Sequence, residues 1–134
     1  MPALSFMKQF VNKILSGEKI HTIRRQRKYP IKLNDRLVLY TGMRIKNKCT
    51  YIAEKTALYV ANFEFDLIKV NQTNLKRGRI KINNKIMKGW SLLQLAKNDG
   101  FDNFQDFKNF FIKSGLPFIG QIIGWSEDIN YNEN

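Results

Sequence analysis

Met7, Phe10, Val11, Ile14 and Leu15 recur at the spacing of one helical face, and Gly17 follows where a helix commonly ends, so a first helix is predicted over residues 5–16. In the next stretch, KIHTIRRQRKYPIKLNDRLVLYTG, β-branched residues alternate with polar ones, while Pro30 and Asn34-Asp35 supply turns. This pattern predicts a strand, a long basic loop and a second strand over residues 36–40. From Cys49 to Val70 the chain is rich in Tyr, Ile, Val, Thr and Phe and alternates through Ala61-Asn62-Phe63-Glu64-Phe65-Asp66-Leu67, which predicts two or three antiparallel strands. RIKI-NN-KIM reads as a short hairpin, since Asn83-Asn84 tolerates the positive φ of a tight turn.

Two helices follow in the pattern. Ser91 is placed to cap the segment Leu92 to Lys97, and Asp102 with Gln105 forms a capping-box-like start for a helix carrying Phe104, Phe107, Phe110 and Phe111. Gly115 and Pro117 end that helix, FIGQIIGW reads as a last strand, and the polar stretch over 126–134 is expected to fray. Helix, strands, helices, strand is the order of an α+β domain, here a mixed or antiparallel sheet curled into a small barrel flanked by helices. With 134 residues and 43% hydrophobic content, one domain over 1–134 with a single core is the expectation.

Charge changes this picture by pointing to partners. The formal net charge is +12, and it is uneven: residues 1–60 hold 13 basic and 3 acidic groups, residues 61–134 hold 10 and 8. A positive field of this kind concentrates phosphates, so nucleic acid, nucleotides or an anionic membrane surface come first as partners. A single cysteine, Cys49, and a single histidine, His21, leave a Cys/His zinc site short of ligands, so no metal and no cofactor are expected. Lys8, Gln9, Asn12 and Lys13 interrupt the apolar stretch a signal peptide needs, and no run reaches the roughly 20 apolar residues of a membrane helix. A soluble, cytoplasmic protein without a membrane partner is the expectation.

The segment Gly17-Glu18-Lys19-Ile20-His21-Thr22-Ile23-Arg24 gathers an amine, a hydroxyl and a guanidinium beside a glycine turn. Thr22 is a nucleophile if a neutral amine takes its proton, and Lys19 is that amine if burial and the nearby Arg24 and Arg25 depress its pKa. The alternative is a solvated lysine in a basic loop before an edge strand. In a regular strand, Lys19 and Thr22 point to opposite faces, so their cooperation requires Lys19 to lie in the turn or a bulge between them, whereas Thr22 and Arg24 share a face. Arg24, Arg25, Arg27, Lys28 and Lys32, with Tyr29 among them, form either a phosphate-contacting loop or a solvated one. Tyr40-Thr41-Gly42-Met43-Arg44 ends a strand in a turn whose amides suit an oxyanion or a base edge, or is a plain connection. Asp99 is a helix-end turn residue or a carboxylate aimed by that turn at a cationic partner, and His21 is more ordinary as a packed strand residue than as a general base.

These residues resemble a known family. Gly17, Lys19 and Arg24 match the signature of ASCH domains, G-x-K-x-x-E-x-R, relatives of the PUA fold that pack helices around a small β-barrel. Thr22 stands where the signature has Glu, and a threonine there is similar to one branch, the small ASCH-like amidohydrolases that deacylate N4-acetylcytidine. The likeness spans roughly residues 6 to 125 and includes the Tyr40 to Arg44 segment and the Asp99-Gly100-Phe101 turn. It implies Lys19 as general base, Thr22 as nucleophile and Asp99, where the branch has Glu, as the acidic residue that completes the set. Arg24, Arg25, Tyr40, Thr41 and Arg44 are the candidates for holding a modified nucleoside. The implied reaction is metal-independent amide hydrolysis; the alternative is an RNA- or nucleotide-binding PUA-like module without catalysis.

Overall fold

The computed structural model describes residues 1–43 and 45–131. Its strands form two sheets. A mixed three-stranded sheet has the order β1 (Ala3–Phe6), β3 (Arg36–Thr41), β4 (Thr50–Thr56), with β1 parallel to β3 and β4 antiparallel to it. An antiparallel five-stranded sheet has the order β2 (His21–Arg25), β8 (Phe118–Gly124), β5 (Tyr59–Lys69), β6 (Lys76–Ile82), β7 (Lys85–Ile86). Three short helices complete the α+β architecture: α1 (Val11–Ser16), α2 (Trp90–Asn98) and α3 (Phe104–Ser114). No described helix is long and apolar enough to cross a membrane.

The expected closed barrel is not formed: among the described residues no ladder joins the two sheets. The segment between β2 and β3, which contains Pro30, forms no strand and is held partly through a side chain. Gln121 Oε1 accepts from the Ile31 amide at 2.9 Å and Gln121 Nε2 donates to the Ile31 carbonyl at 3.2 Å, which satisfies the backbone there without extending a sheet.

Alternation in β5 holds from Ala61 to Asp66, with Ala61, Phe63 and Phe65 buried and Asn62, Glu64 and Asp66 toward solvent to varying degrees, and ends before Leu67, which is exposed. β8 sits between β2 and β5 and is buried at nearly every position, which is why FIGQIIG is apolar almost without interruption. α3 lays Phe107 and Phe111 over this sheet, with the Phe111 ring 4.9 Å from that of Phe118 and 5.5 Å from that of Phe63. The Asn83-Asn84 hairpin is present, with φ of 50° and 68° at its two central residues.

Four local readings change. The first helix starts later, because Ala3–Phe6 extends beside β3 and sends Leu4 and Phe6 into the core; a single 3₁₀ turn, Lys8–Phe10, then leads into α1. α2 begins at Trp90 behind Gly89, so Ser91 lies inside the helix and does not cap it. α3 is capped by Asn103, whose Oδ1 accepts from the Asp106 amide at 2.9 Å, one residue beyond the expected Asp102. The stretch from residue 126 is also not frayed as far as residue 131, since Ile129 and Tyr131 are both buried in the core.

Candidate active site

α2 ends in a Schellman motif: the Gly100 amide bonds the Lys97 carbonyl at 2.9 Å and the Phe101 amide bonds that of Ala96 at 3.0 Å. Asp99 is therefore the C-cap, and its carboxylate is fixed by the helix end. Gly100 takes φ +92°, and a Cβ there would lie 3.0 Å from Lys19 Cδ and 3.1 Å from Phe10 Cδ1. Glycine thus serves both the left-handed turn and the close approach of Lys19. The turn is stitched to the segment before β2 by the Ile20 amide, which donates to the Asn98 carbonyl at 2.9 Å, and that segment is tied to α1 by the Lys19 amide, which donates to the Lys13 carbonyl at 2.9 Å.

Lys19 lies in the segment that follows the Gly17 turn, ahead of β2, which meets the geometric condition for cooperation with Thr22. Both residues line one cavity of about 250 Å³, together with Arg24, Asp99 and the rings of Phe6, Phe10, Phe101 and Phe110. Lys19, Thr22 and Asp99 are 2%, 5% and 4% exposed. Lys19 Nζ donates to the Asp99 carbonyl at 2.6 Å and to Asp99 Oδ1 at 3.3 Å, with Phe10 and Phe6 ring centroids 4.8 Å and 5.6 Å away. Burial holds its pKa below the ordinary lysine value, against the opposing pull of the Asp99 carboxylate. A neutral amine has two N–H groups and one lone pair; with both N–H groups given to Asp99, the lone pair is left for the cavity.

Thr22 and Arg24 share a face of β2, as strand alternation requires: Arg24 Nε donates to Thr22 Oγ1 at 3.0 Å, and Arg24 Nη2 to the Ser5 carbonyl at 2.6 Å. The Thr22 oxygen accepts from Arg24, so its own proton is left for a base. Lys19 and Thr22 face the same hollow without a direct hydrogen bond between them, the amine being held by Asp99 and the hydroxyl by Arg24. Burial lowers the Arg24 pKa to about 10, so this guanidinium stays cationic at neutral pH.

His21 joins the site from behind. It is completely buried, with Nδ1 3.1 Å from Asp99 Oδ1 and Nε2 2.7 Å from Tyr131 Oη, and Asn98 Nδ2 donates to the same Tyr131 oxygen at 2.8 Å. For a neutral ring the pattern has one self-consistent assignment. Tyr131, accepting from Asn98, donates to Nε2, and Nδ1–H donates to the Asp99 carboxylate. Burial lowers the His21 pKa, which agrees with a neutral ring. No local signal could have linked His21 to Tyr131, because they are 110 positions apart in the chain.

The remaining sequence candidates are dispersed. Arg25 turns away, with Nη2 donating to the carbonyls of Ser114 and Gly115 and its guanidinium 4.4 Å from the Phe118 ring centroid, so it ties β2 to the end of α3. Tyr40 packs edge-on against Tyr51 and does not line the cavity. Thr41 donates to the Phe6 carbonyl at 2.8 Å and lines a neighbouring groove. Arg44 lies outside the described residues. Among the described residues no three His, Cys, Asp or Glu side chains gather as metal ligands would. Comparison with protein-family models, with curated proteins and with solved structures finds no match.

Proposed function

We propose that the chain is an amidohydrolase that removes the acyl group from N4-acylated cytidine, with Thr22 as nucleophile and Lys19 as general base. One observation carries this reading: a buried lysine of lowered pKa and a threonine hydroxyl face a single aromatic-walled cavity. The resemblance of Gly17, Lys19, Thr22 and Arg24 to ASCH-like amidohydrolases supplies the substrate class, and the PUA-like fold belongs to the same proposal. The cavity volume, about 250 Å³, lies below the roughly 300 Å³ at which pockets for drug-sized ligands begin, and so suits an acylated base more than a whole nucleoside.

In the proposed reaction Thr22 Oγ1 attacks the carbonyl carbon of the N4-acyl group while its proton passes to the Lys19 amine. The tetrahedral oxyanion is held by the Arg24 N–H groups not used on Thr22 and Ser5. Collapse breaks the carbon–N4 bond, Lys19 returns the proton to N4, and cytidine departs. Water, deprotonated by Lys19, then attacks the Thr22 ester and releases the carboxylate with the hydroxyl restored. Asp99 orients Lys19, and His21 with Tyr131 orients Asp99. The missing direct contact between amine and hydroxyl is compatible with this scheme, because catalytic hydrogen bonds often close only around substrate.

The test follows the ultraviolet change of the base on incubation with N4-acetylcytidine. Turnover is expected for the parent protein, with a loss of about 10³-fold or more in Thr22→Ala and Lys19→Met and retention of the far-ultraviolet circular dichroism. No turnover by a folded parent protein overturns the reading.

A further inference from the structure

The cavity holding Lys19 and Thr22 opens beside a second, larger hollow. Ser5, Phe6, Met7 and Arg24 line both. The second is a groove of about 920 Å³, walled on one side by the segment from Ser5 to Asn12 and on the other by the segment from Thr41 to Thr50. Lys8 comes from the first wall and Lys48 from the second, Arg24 sits at the junction, and no carboxylate is among the described lining residues. Met7, Met43 and Ile45, all exposed, add apolar surface beside these cations. Every described lining residue belongs to residues 1–60, the half of the chain that carries the charge surplus.

We infer that this groove holds the ribose and phosphate of a substrate whose modified base enters the small cavity, so that the chain prefers a phosphorylated N4-acylcytidine, as a nucleotide or within an RNA strand, over the free nucleoside. The inference rests on the amidohydrolase reading for its base and on the groove for its phosphate. Volume argues first: a base fills the small cavity, and the four residues that line both hollows bring the groove next to whatever is attached to that base. Charge argues second, because three cations and no anion among the described lining residues select for phosphate and repel an acidic peptide. The apolar side chains give the sugar, or a flanking base, a surface to lie against.

The experiment compares kcat/KM for N4-acetylcytidine, its 5′-monophosphate and a short single-stranded RNA with one N4-acetylcytidine, at low and high salt. The protein is compared with Lys8→Glu/Lys48→Glu and with Lys69→Glu/Lys76→Glu, a control that makes the same charge change on the β5–β6 hairpin outside the groove. The expected result is a preference of about tenfold for the phosphorylated substrates, as two exposed ion pairs can supply, that fades with salt and falls in the groove variant but not in the control. Gain with the monophosphate alone assigns one phosphate site, and a further gain with RNA assigns a strand. Equal rates for nucleoside and nucleotide, a preference kept by the groove variant, or one lost equally in the control overturn the inference.

If none of the substrates is hydrolysed, the amidohydrolase reading fails while the groove is still measured, by binding of a labelled oligocytidylate RNA. Support is then a salt slope reduced by roughly 1.4 in the groove variant, at about 0.7 per phosphate contact on single strands, and unchanged in the control. Absence of binding, or equal slopes in both variants, overturns it.

Discussion

Two lysines six positions apart hold the two ends of one turn, and they do so in opposite environments. Lys13 donates from α1 to the Gly100 carbonyl at 2.8 Å and to Asp102 at 2.5 Å, with the Asp102 side chain 82% exposed. Lys19 donates to Asp99, where the two side chains are only 3% and 5% exposed. Both are Lys–Asp pairs, one from α1 and one from the segment after it, that link this part of the chain to the end of α2. In water such a pair is worth little and is screened by salt, whereas a buried pair must offset the loss of hydration of both charges. The consequences differ in kind: contact with Lys13 holds the Asp102 pKa below the usual carboxylate range, while burial of Lys19 moves the lysine itself toward the neutral amine that base chemistry needs. The outer pair anchors the turn in solvent, and the inner pair holds the lysine on which the proposed chemistry rests.

Breaking the inner pair is expected to have the largest effect on that contrast. Asp99→Asn removes the carboxylate that Lys19 and His21 share and leaves buried donors poorly matched, with a destabilisation approaching about 3–5 kcal/mol, eased by release of the Lys19 proton. Chemical denaturation measures this loss. The same variant separates catalysis from stability. Asp99 raises the Lys19 pKa, so its removal must lower that pKa further, and the rising limb of the pH–rate profile is expected to move to lower pH even as kcat falls. A limb that stays in place, or moves upward, shows that the titrating base is not Lys19.

The sequence made the inner lysine legible through the glycine that precedes it. Gly17 takes φ +86° at the end of α1, which puts Lys19 in the segment that follows this turn, ahead of β2, and frees it from the alternation that would have set it opposite Thr22. Thr22 and Arg24 were legible for the opposite reason, as residues two apart in a regular strand. Asp99 was visible only as a turn residue, because its carboxylate meets a lysine 80 positions away. His21 was legible as a packed strand residue, but its link to Tyr131 carried no readable signal. A polar segment such as SEDINYN resembles a frayed end until its tyrosine finds a buried imidazole. β1 was hidden similarly, since Ala3–Phe6 is a strand only by pairing with β3, a partner beyond any local pattern.

His21 sharpens the contrast at a smaller scale. Its folded pKa lies below the ordinary 6.5, so between these two values the unfolded chain binds a proton that the folded chain does not. Stability must therefore rise with pH through that window and fall as the pH drops below about 6.5, with a slope of up to roughly 1.4 kcal/mol per pH unit from this group. The acid and base members that share its surroundings are Asp99, Lys19 and Tyr131. Denaturant titrations from pH 5 to 8 on the parent protein and on His21→Leu test this. The variant is expected to be less stable at neutral pH yet flatter below 6.5, and parallel curves for the two proteins contradict a neutral, buried imidazole.

The outer pair is expected to give the smallest response. Asp102→Asn removes a carboxylate that stands in solvent, so its midpoint of unfolding should differ little from that of the parent protein, and the difference should vanish at high salt. Lys13→Met goes further, because the same ammonium also bonds the Gly100 carbonyl, a backbone group of the turn that carries Asp99. Its loss should exceed that of Asp102→Asn and persist in salt, while kcat/KM toward N4-acetylcytidine stays within about threefold of the parent value, as expected when a mutation touches no reacting atom. If Lys13→Met instead abolishes turnover while stability is kept, the division between an anchoring lysine and a reactive one is wrong, and the base must be sought on the α1 side of the turn.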